Sequence, residues 1–472
     1  MSTNGATNAT GQDSLTRLTA RRLRQIASNN VPTHLKEKAA LAVLDYLGAV
    51  ASGFQAPWAP QVVQYARKRK GVPESYAWGL GEDTSAETAA FVNSVLAHSA
   101  IRDDMHLKSN SHIGSMVISA ALALAQREGW TGEQLLKGII GAYDAASFLG
   151  VAVQQSPGYN RHIRPSGICG AFGSAAAAIA ATNVSEEVAV NALAFAANMA
   201  SGFNEWAWIG GTEIYVEMGT ASQSGIAAFD LANAGMQCSE TILEGRAGLF
   251  AAFNASQGES LFRKGLAGEI GKGLMDIRFK PVPGCNYAQT PLATALRCTK
   301  NHDLSAGIKR VVVDCTIGAK NYPGCDNPGP FSTIQETKMS IQFGVCGALL
   351  NGNVSEQLFK KYHDATITKM AAECVVEAAK EYDQSFSEGR QPARVEVTLA
   401  DGTTVKEELP DVPWVDSNGV VSRFLEDTKP MLSSEDSRKK MDLAEGINWF
   451  RGSQTPSSLP KGSSEAWLLI AA

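Results

Sequence analysis

The residues with the most chemistry per unit length run from His98 to His112. Three of the chain's seven histidines (His98, His106 and His112) fall there, beside the adjacent carboxylates Asp103 and Asp104. A carboxylate beside an imidazole orients the ring and raises its basicity, which suits general acid/base work. The same residue types could instead ligate a metal, or form a capped loop whose charges are solvated. A second group, Arg161-His162-Ile163-Arg164-Pro165-Ser166-Gly167, precedes a helix rich in Ala and Gly. Amides at a helix start, with arginines alongside, would hold a carboxylate, although exposed arginines are usually plain surface. A third group, 279–287, places Lys280 among prolines ahead of Cys285, as an anion clamp or as a rigid linker. A fourth, 320–327, carries Tyr322 in a turn-rich loop, as a proton donor or acceptor or as part of a simple connection.

These groups lie at the ends of apolar segments that must position them. Segments 86–99, 115–128, 134–150, 170–182, 186–202 and 219–234 are rich in Ala, Leu, Ile and Val without strand-like alternation. They predict buried helices packed on one another. An earlier helix begins at Thr33 and ends near Gly48 and Gly53. The pattern changes near residue 275. Segment 277–279 predicts a short strand, 308–315 a β-branched strand, and 394–399 a half-buried strand before the turn signal Asp401-Gly402. Helices are expected between them, at about 290–300, 336–351 and 366–380. After Pro413 helical pattern returns at 420–424 and 438–450. The fold class that follows is mainly α: a large all-helical domain (14–275, with a C-terminal return over 412–452) carrying an inserted, smaller α+β lid domain (276–411). Residues 1–13 and 453–472 are small and polar, and are expected to be loose tails.

Composition narrows the function classes. The formal net charge of -5 leaves no basic surplus for phosphates, so no nucleic-acid partner is expected. No apolar run is expected to reach the length of a membrane span, and the N-terminus lacks the apolar stretch of a secretory signal. The arginines at 17, 21, 22 and 24 fit the wet face of a helix better than a targeting sequence. None of the eight cysteines falls in a CxxC or zinc-like spacing. Free thiols, a cytoplasmic location and no metal or cofactor are the expectation.

Together these segments resemble the MmgE/PrpD family, which includes methylcitrate dehydratase and cis-aconitate decarboxylase. The likeness rests on Val43-Leu-Asp45-Tyr-Leu-Gly48 with Gly53, on Asn93 through His112, on Phe279-Lys280-Pro281 with Pro283 and Cys285, and on Lys338 through Gly352, in that order. The resemblance implies a cofactor-independent lyase acting on a small polycarboxylate between a helical domain and a lid, usually as a homodimer. It casts His112 as general acid/base and Asp103 or Asp104 as its partner or as a second acid/base. Lys280 becomes a carboxylate anchor, and Tyr322 a proton donor or clamp. His106, Arg164, Ile214, Glu217 and Cys285 are expected around the substrate.

The chain departs from the family's pattern at four positions. An acid is usual where Ile101 stands, a histidine where Arg164 stands, a lysine near Ile214 and a histidine near Glu217. Trp206, Trp208 and Tyr215 add bulk in the same stretch. These changes suggest a less charged, more apolar substrate, such as an alkylated citrate of specialised metabolism. An isomerase or epimerase on the same scaffold, and a non-catalytic binding protein derived from it, are the alternatives.

Overall fold

In the computed structural model, residues 13–69 and 71–428 are described. Residues 1–12 of the tail expected at 1–13, the tail expected at 453–472 and the helix expected at 438–450 lie outside the described residues. The protein is mainly α. Its N-terminal part is a stack of helices whose contacts are made by small side chains. Helix Gly132–Gln154 lies along helix Pro165–Ala181, and a Cβ added at Gly173 would come within 2.7 Å of the Ala146 Cβ. Side chains this small let two backbones approach closely, which is why the chain spends so many Ala and Gly residues there. Helix Glu213–Asn233 packs on both Ala86–Ser99 and Pro165–Ala181.

Helix Gly132–Gln154 also corrects one expectation. By length and composition it could cross a membrane, but 89% of its apolar window is buried inside the protein. Its apolarity is spent on the core.

The sheet unit near the C-terminus has four strands in the order Val375–Ala378, Ile308–Cys315, Ala393–Leu399, Thr404–Leu409. The first pair is parallel and the other two are antiparallel. Ala393–Leu399 alternates between buried and half-buried positions, as its sequence suggests. Two expectations change here. The helix expected over 366–380 ends at Glu373, where the chain turns into strand Val375–Ala378. The helix expected over 336–351 is two, Ile334–Met339 and Ile341–Asn351, with Ser340 capping the second.

Two contacts tie the parts together around one place. The two-residue strand Met105–His106 pairs antiparallel with Ile277–Arg278, joining the histidine loop to the start of the lysine loop. The described part of the C-terminal return, helix Ser417–Thr428, lies on helix Thr33–Gly53. Its Arg423 donates to the Lys280 carbonyl and to Asp45, and Arg102 pairs with Asp427 at 2.5 Å.

Candidate active site

Residues 100–112 bridge helices Ala86–Ser99 and Ile113–Glu128, so both ends of the histidine loop are anchored in the core. His112 is the N-cap of Ile113–Glu128, and Arg164 is the N-cap of Pro165–Ala181. The Ser166 hydroxyl accepts the His112 amide N–H at 3.2 Å, which holds the two helix starts side by side. Two positive helix ends converge on one cavity, an arrangement that favours an anion.

The cavity is small, with about 30 Å³ of free volume. His98, Ile101, Arg164, Ser166 and Ile214 line one side, and Cys285, Asn286, Tyr287, Tyr322 and Met339 the other. Hydrogen bonds fix where the protons sit on the first side. His98 Nδ1 lies 2.8 Å from Asp103 Oδ2, and its Nε2 lies 2.7 Å from Arg164 Nη2. A guanidinium only donates, so His98 Nε2 accepts and its proton is on Nδ1. Burial drives the His98 pKa down to about 3, so the ring is neutral. Burial by itself would raise the Asp103 carboxyl, but His98 and His112 hold it well below the usual range. Ser115 also donates to it, at 2.5 Å.

His112 completes the arrangement. Its Nδ1 is 3.1 Å from the Asp104 carbonyl and 3.3 Å from Asp103 Oδ1. Two acceptors around Nδ1 place the proton there and leave Nε2 as a free base. No protein group among the described residues bonds that Nε2. Burial, helped by the charge of Lys280, lowers the His112 pKa, so the ring is unprotonated at neutral pH.

Arg164 is held from several directions. Nη1 donates to the Ile214 carbonyl at 2.5 Å and to Glu217 at 3.1 Å, and the guanidinium lies 5.3 Å from the Trp206 ring centre. Three of its five N–H bonds are thereby used, which leaves Nε–H and one on Nη2 for a ligand. Three of the four departures seen in the sequence, Arg164, Ile214 and Glu217, therefore act as one unit. The fourth, Ile101, has φ 50°, a left-handed conformation rare for a β-branched residue. Such strain costs about 1–3 kcal/mol and persists only when the surroundings enforce it. Here the Ile101 carbonyl accepts from Lys280 Nζ at 2.8 Å.

Other expected site residues sit behind the cavity wall. Lys280 is fully buried, with its ammonium also 3.3 Å from the Gly284 carbonyl, and burial lowers its pKa to about 8. Asp104 accepts from Tyr143 and from the Gly114 amide, and burial raises its pKa to about 8. It is an uncharged acid at neutral pH. His106 bonds Ser109 and is no part of the cavity lining. Glu217 reaches the site only through Arg164. Cys285 does line it, 3.5 Å from the Cys325 sulfur.

On the far side, the Tyr287 and Tyr322 rings lie 4.9 Å apart, and neither hydroxyl bonds a protein group among the described residues. Burial raises the Tyr322 pKa, so it remains a phenol and a donor. The buried Oδ1 of Asn286 also lacks a partner and is left to accept from a ligand. A metal would have to use His98, Asp103 and His112, whose ligand atoms lie within 4.8 Å of one another. His98 Nε2 is taken by Arg164 and Asp103 Oδ2 by His98 and Ser115, which leaves His112 Nε2 as the one free ring nitrogen. Arg164 and Lys280 oppose a further cation, so the donor set fits a proton relay better.

Residues 18–260 match the MmgE/PrpD N-terminal domain, and residues 282–417 match the MmgE/PrpD C-terminal domain. The chain belongs to the MmgE/PrpD family. It is similar to the cis-aconitate decarboxylase of Aspergillus terreus, 22% identical over 405 residues that cover 81% of this chain and 82% of that protein. It is also similar to the cis-aconitate decarboxylase of Homo sapiens, 26% identical over 376 residues that cover 77% of this chain and 76% of the relative. Within this MmgE/PrpD chain, sequence reasoning placed His112, Asp103, Arg164 and Tyr322 together. It left His98 out of the site and passed over Ser166, Asn286 and Tyr287. His98 was visible as one end of the histidine cluster. Asn286 and Tyr287 directly follow Cys285 but carried no signal of their own.

Proposed function

We propose that this chain is a cofactor-independent lyase that removes water or carbon dioxide from a citrate- or aconitate-like carboxylic acid. The observation that carries the reading is the His112 ring, packed against Asp103 with Nε2 bare and on the same wall of a small cavity as Arg164. The same kind of activity in the similar decarboxylases supports it.

In a dehydration, His112 Nε2 takes the proton from carbon beside a carboxylate that Arg164 and the two helix starts hold. The electron pair forms the double bond as the C–O bond breaks, and Tyr322 gives the leaving hydroxyl its proton. In a decarboxylation the C–C bond breaks, carbon dioxide leaves, and Tyr322 delivers its proton to the carbon that keeps the electron pair. Asn286 Oδ1 is placed to accept from a substrate hydroxyl, which favours the first. Arg164 is partly neutralised by Glu217, and Lys280 is tied to two carbonyls. Fewer free cations suit an alkylated or otherwise less charged acid of specialised metabolism. A cytoplasmic homodimer belongs to the same reading, and sedimentation of the purified protein tests the dimer.

The direct test is to incubate chelator-treated protein with methylcitrate, cis-aconitate and longer alkyl analogues and to follow products by mass. Loss of water or carbon dioxide from one of them is expected. Solvent deuterium uptake without either loss would mean epimerisation, and an unchanged set of masses would sink the catalytic reading.

A further inference from the structure

The catalytic cavity adjoins a second chamber that is far larger, about 920 Å³. The two share Asn110, Pro165, Tyr287 and Tyr322, which form a neck between them. The outer chamber carries Phe203, Trp208, Ile317 and Phe386 on its walls. Phe203 is 70% exposed, Trp208 64% and Ile317 42%, although large apolar side chains normally avoid water. Several of them gathered at one mouth mark a binding surface.

We propose that this outer chamber receives a nonpolar arm, several carbons long, carried by the acid whose head sits at His112 and Arg164. The proposal rests on the lyase reading for the head group and adds the site that selects the rest of the molecule. Continuity through the shared lining is the argument for this occupant. The Tyr287 and Tyr322 rings touch, 4.9 Å apart, so a ligand filling both spaces passes beside the pair, between it and Asn110 and Pro165; its middle is slim and its outer part is free to be bulky. The inner cavity is much the smaller of the two, so a long arm has to lie outside it. Trp206 and Trp208, close in sequence, divide the work: the first stacks on Arg164 inside and the second lines the arm site outside.

The test uses 2-alkylsuccinates from methyl to octyl, which have no hydroxyl to lose and so report binding apart from turnover. Calorimetry should show Kd falling about fourfold for each of the first added methylenes, the factor that burying a methylene supplies. In F203A/W208A that slope should flatten, with the affinity for methylsuccinate unchanged. Both residues are exposed, so the fold does not depend on them. A Kd independent of arm length, no binding by any member, or a slope unchanged in the double variant would each overturn the proposal. So would tighter binding of an arm ending in a carboxylate, because Arg161 and His162 in the same chamber would then be reading charge. If the variant changes only the protein's mass by light scattering, these side chains face a second subunit and the arm site is lost. Failure of turnover with every acid, alongside an intact slope, would sink the lyase reading and leave the chamber standing.

Discussion

The two walls of the catalytic cavity are built differently. On the histidine side, polar groups hold one another: Asp103 binds His98, Ser115 and His112, and Arg164 binds His98, Glu217 and the Ile214 carbonyl. On the tyrosine side, two phenols and the Asn286 oxygen have no protein partner among the described residues. The first wall is pre-organised, with protonation states set before any ligand arrives. The second offers unspent donors and acceptors that only a ligand completes. Proton abstraction and carboxylate binding should therefore belong to the first wall, and recognition of the rest of the ligand and proton donation to the second.

The largest effect should come from removing the base. His112→Gln is expected to lower turnover on the order of a thousandfold while the protein stays folded, as measured by kcat and circular dichroism. Arg164→Lys should cost about a hundredfold in kcat/KM, because an ammonium cannot hold His98, Glu217 and the Ile214 carbonyl while still facing a carboxylate. Tyr322→Phe should cost about a hundredfold in kcat, the lower end for loss of a general acid, because water can still supply the proton. If Tyr322→Phe matched His112→Gln, the division between the walls would collapse.

The smallest effect concerns stability alone. Asp104 has a carboxyl pKa of about 8 in the folded chain, well above its ordinary 3.8. The stability contributed by its protonated form is complete below the usual carboxyl range. It declines as pH rises toward 8 and is flat above. Asp104→Asn keeps an acceptor for Gly114, can donate to the Tyr143 oxygen where the carboxyl accepted from it, and has nothing to ionise. Between pH 5 and 8 it should lose less stability than the parent, by on the order of 1 kcal/mol or more in denaturant titrations.

What the sequence made legible follows the same division. The helical body could be read because its apolar segments are long and periodic. Strand Thr404–Leu409 could not: it is an edge strand, exposed or half-buried along its length and carrying Lys406, Glu407 and Glu408. Val375–Ala378 was read as more helix because four residues cannot announce a period. Asp103 and His112 stood out by density along the chain. The proton map did not, because it depends on Arg164, which is 66 residues from His98 and meets it only in three dimensions. Lys280 had the right residue type in the right loop, yet its carbonyl partners depend on a left-handed turn at Ile101 that nothing in an isoleucine foretells.

Arg423 gives the molecule an order of assembly in time. It lies 143 residues beyond Lys280 and grips that residue's carbonyl while binding Asp45 in an early helix. A nascent chain that has already made both walls of the cavity still lacks the clasp that fixes the lysine loop. The site therefore matures only when helix Ser417–Thr428 has left the ribosome, and a product truncated before it would carry every active-site residue but not the settled site.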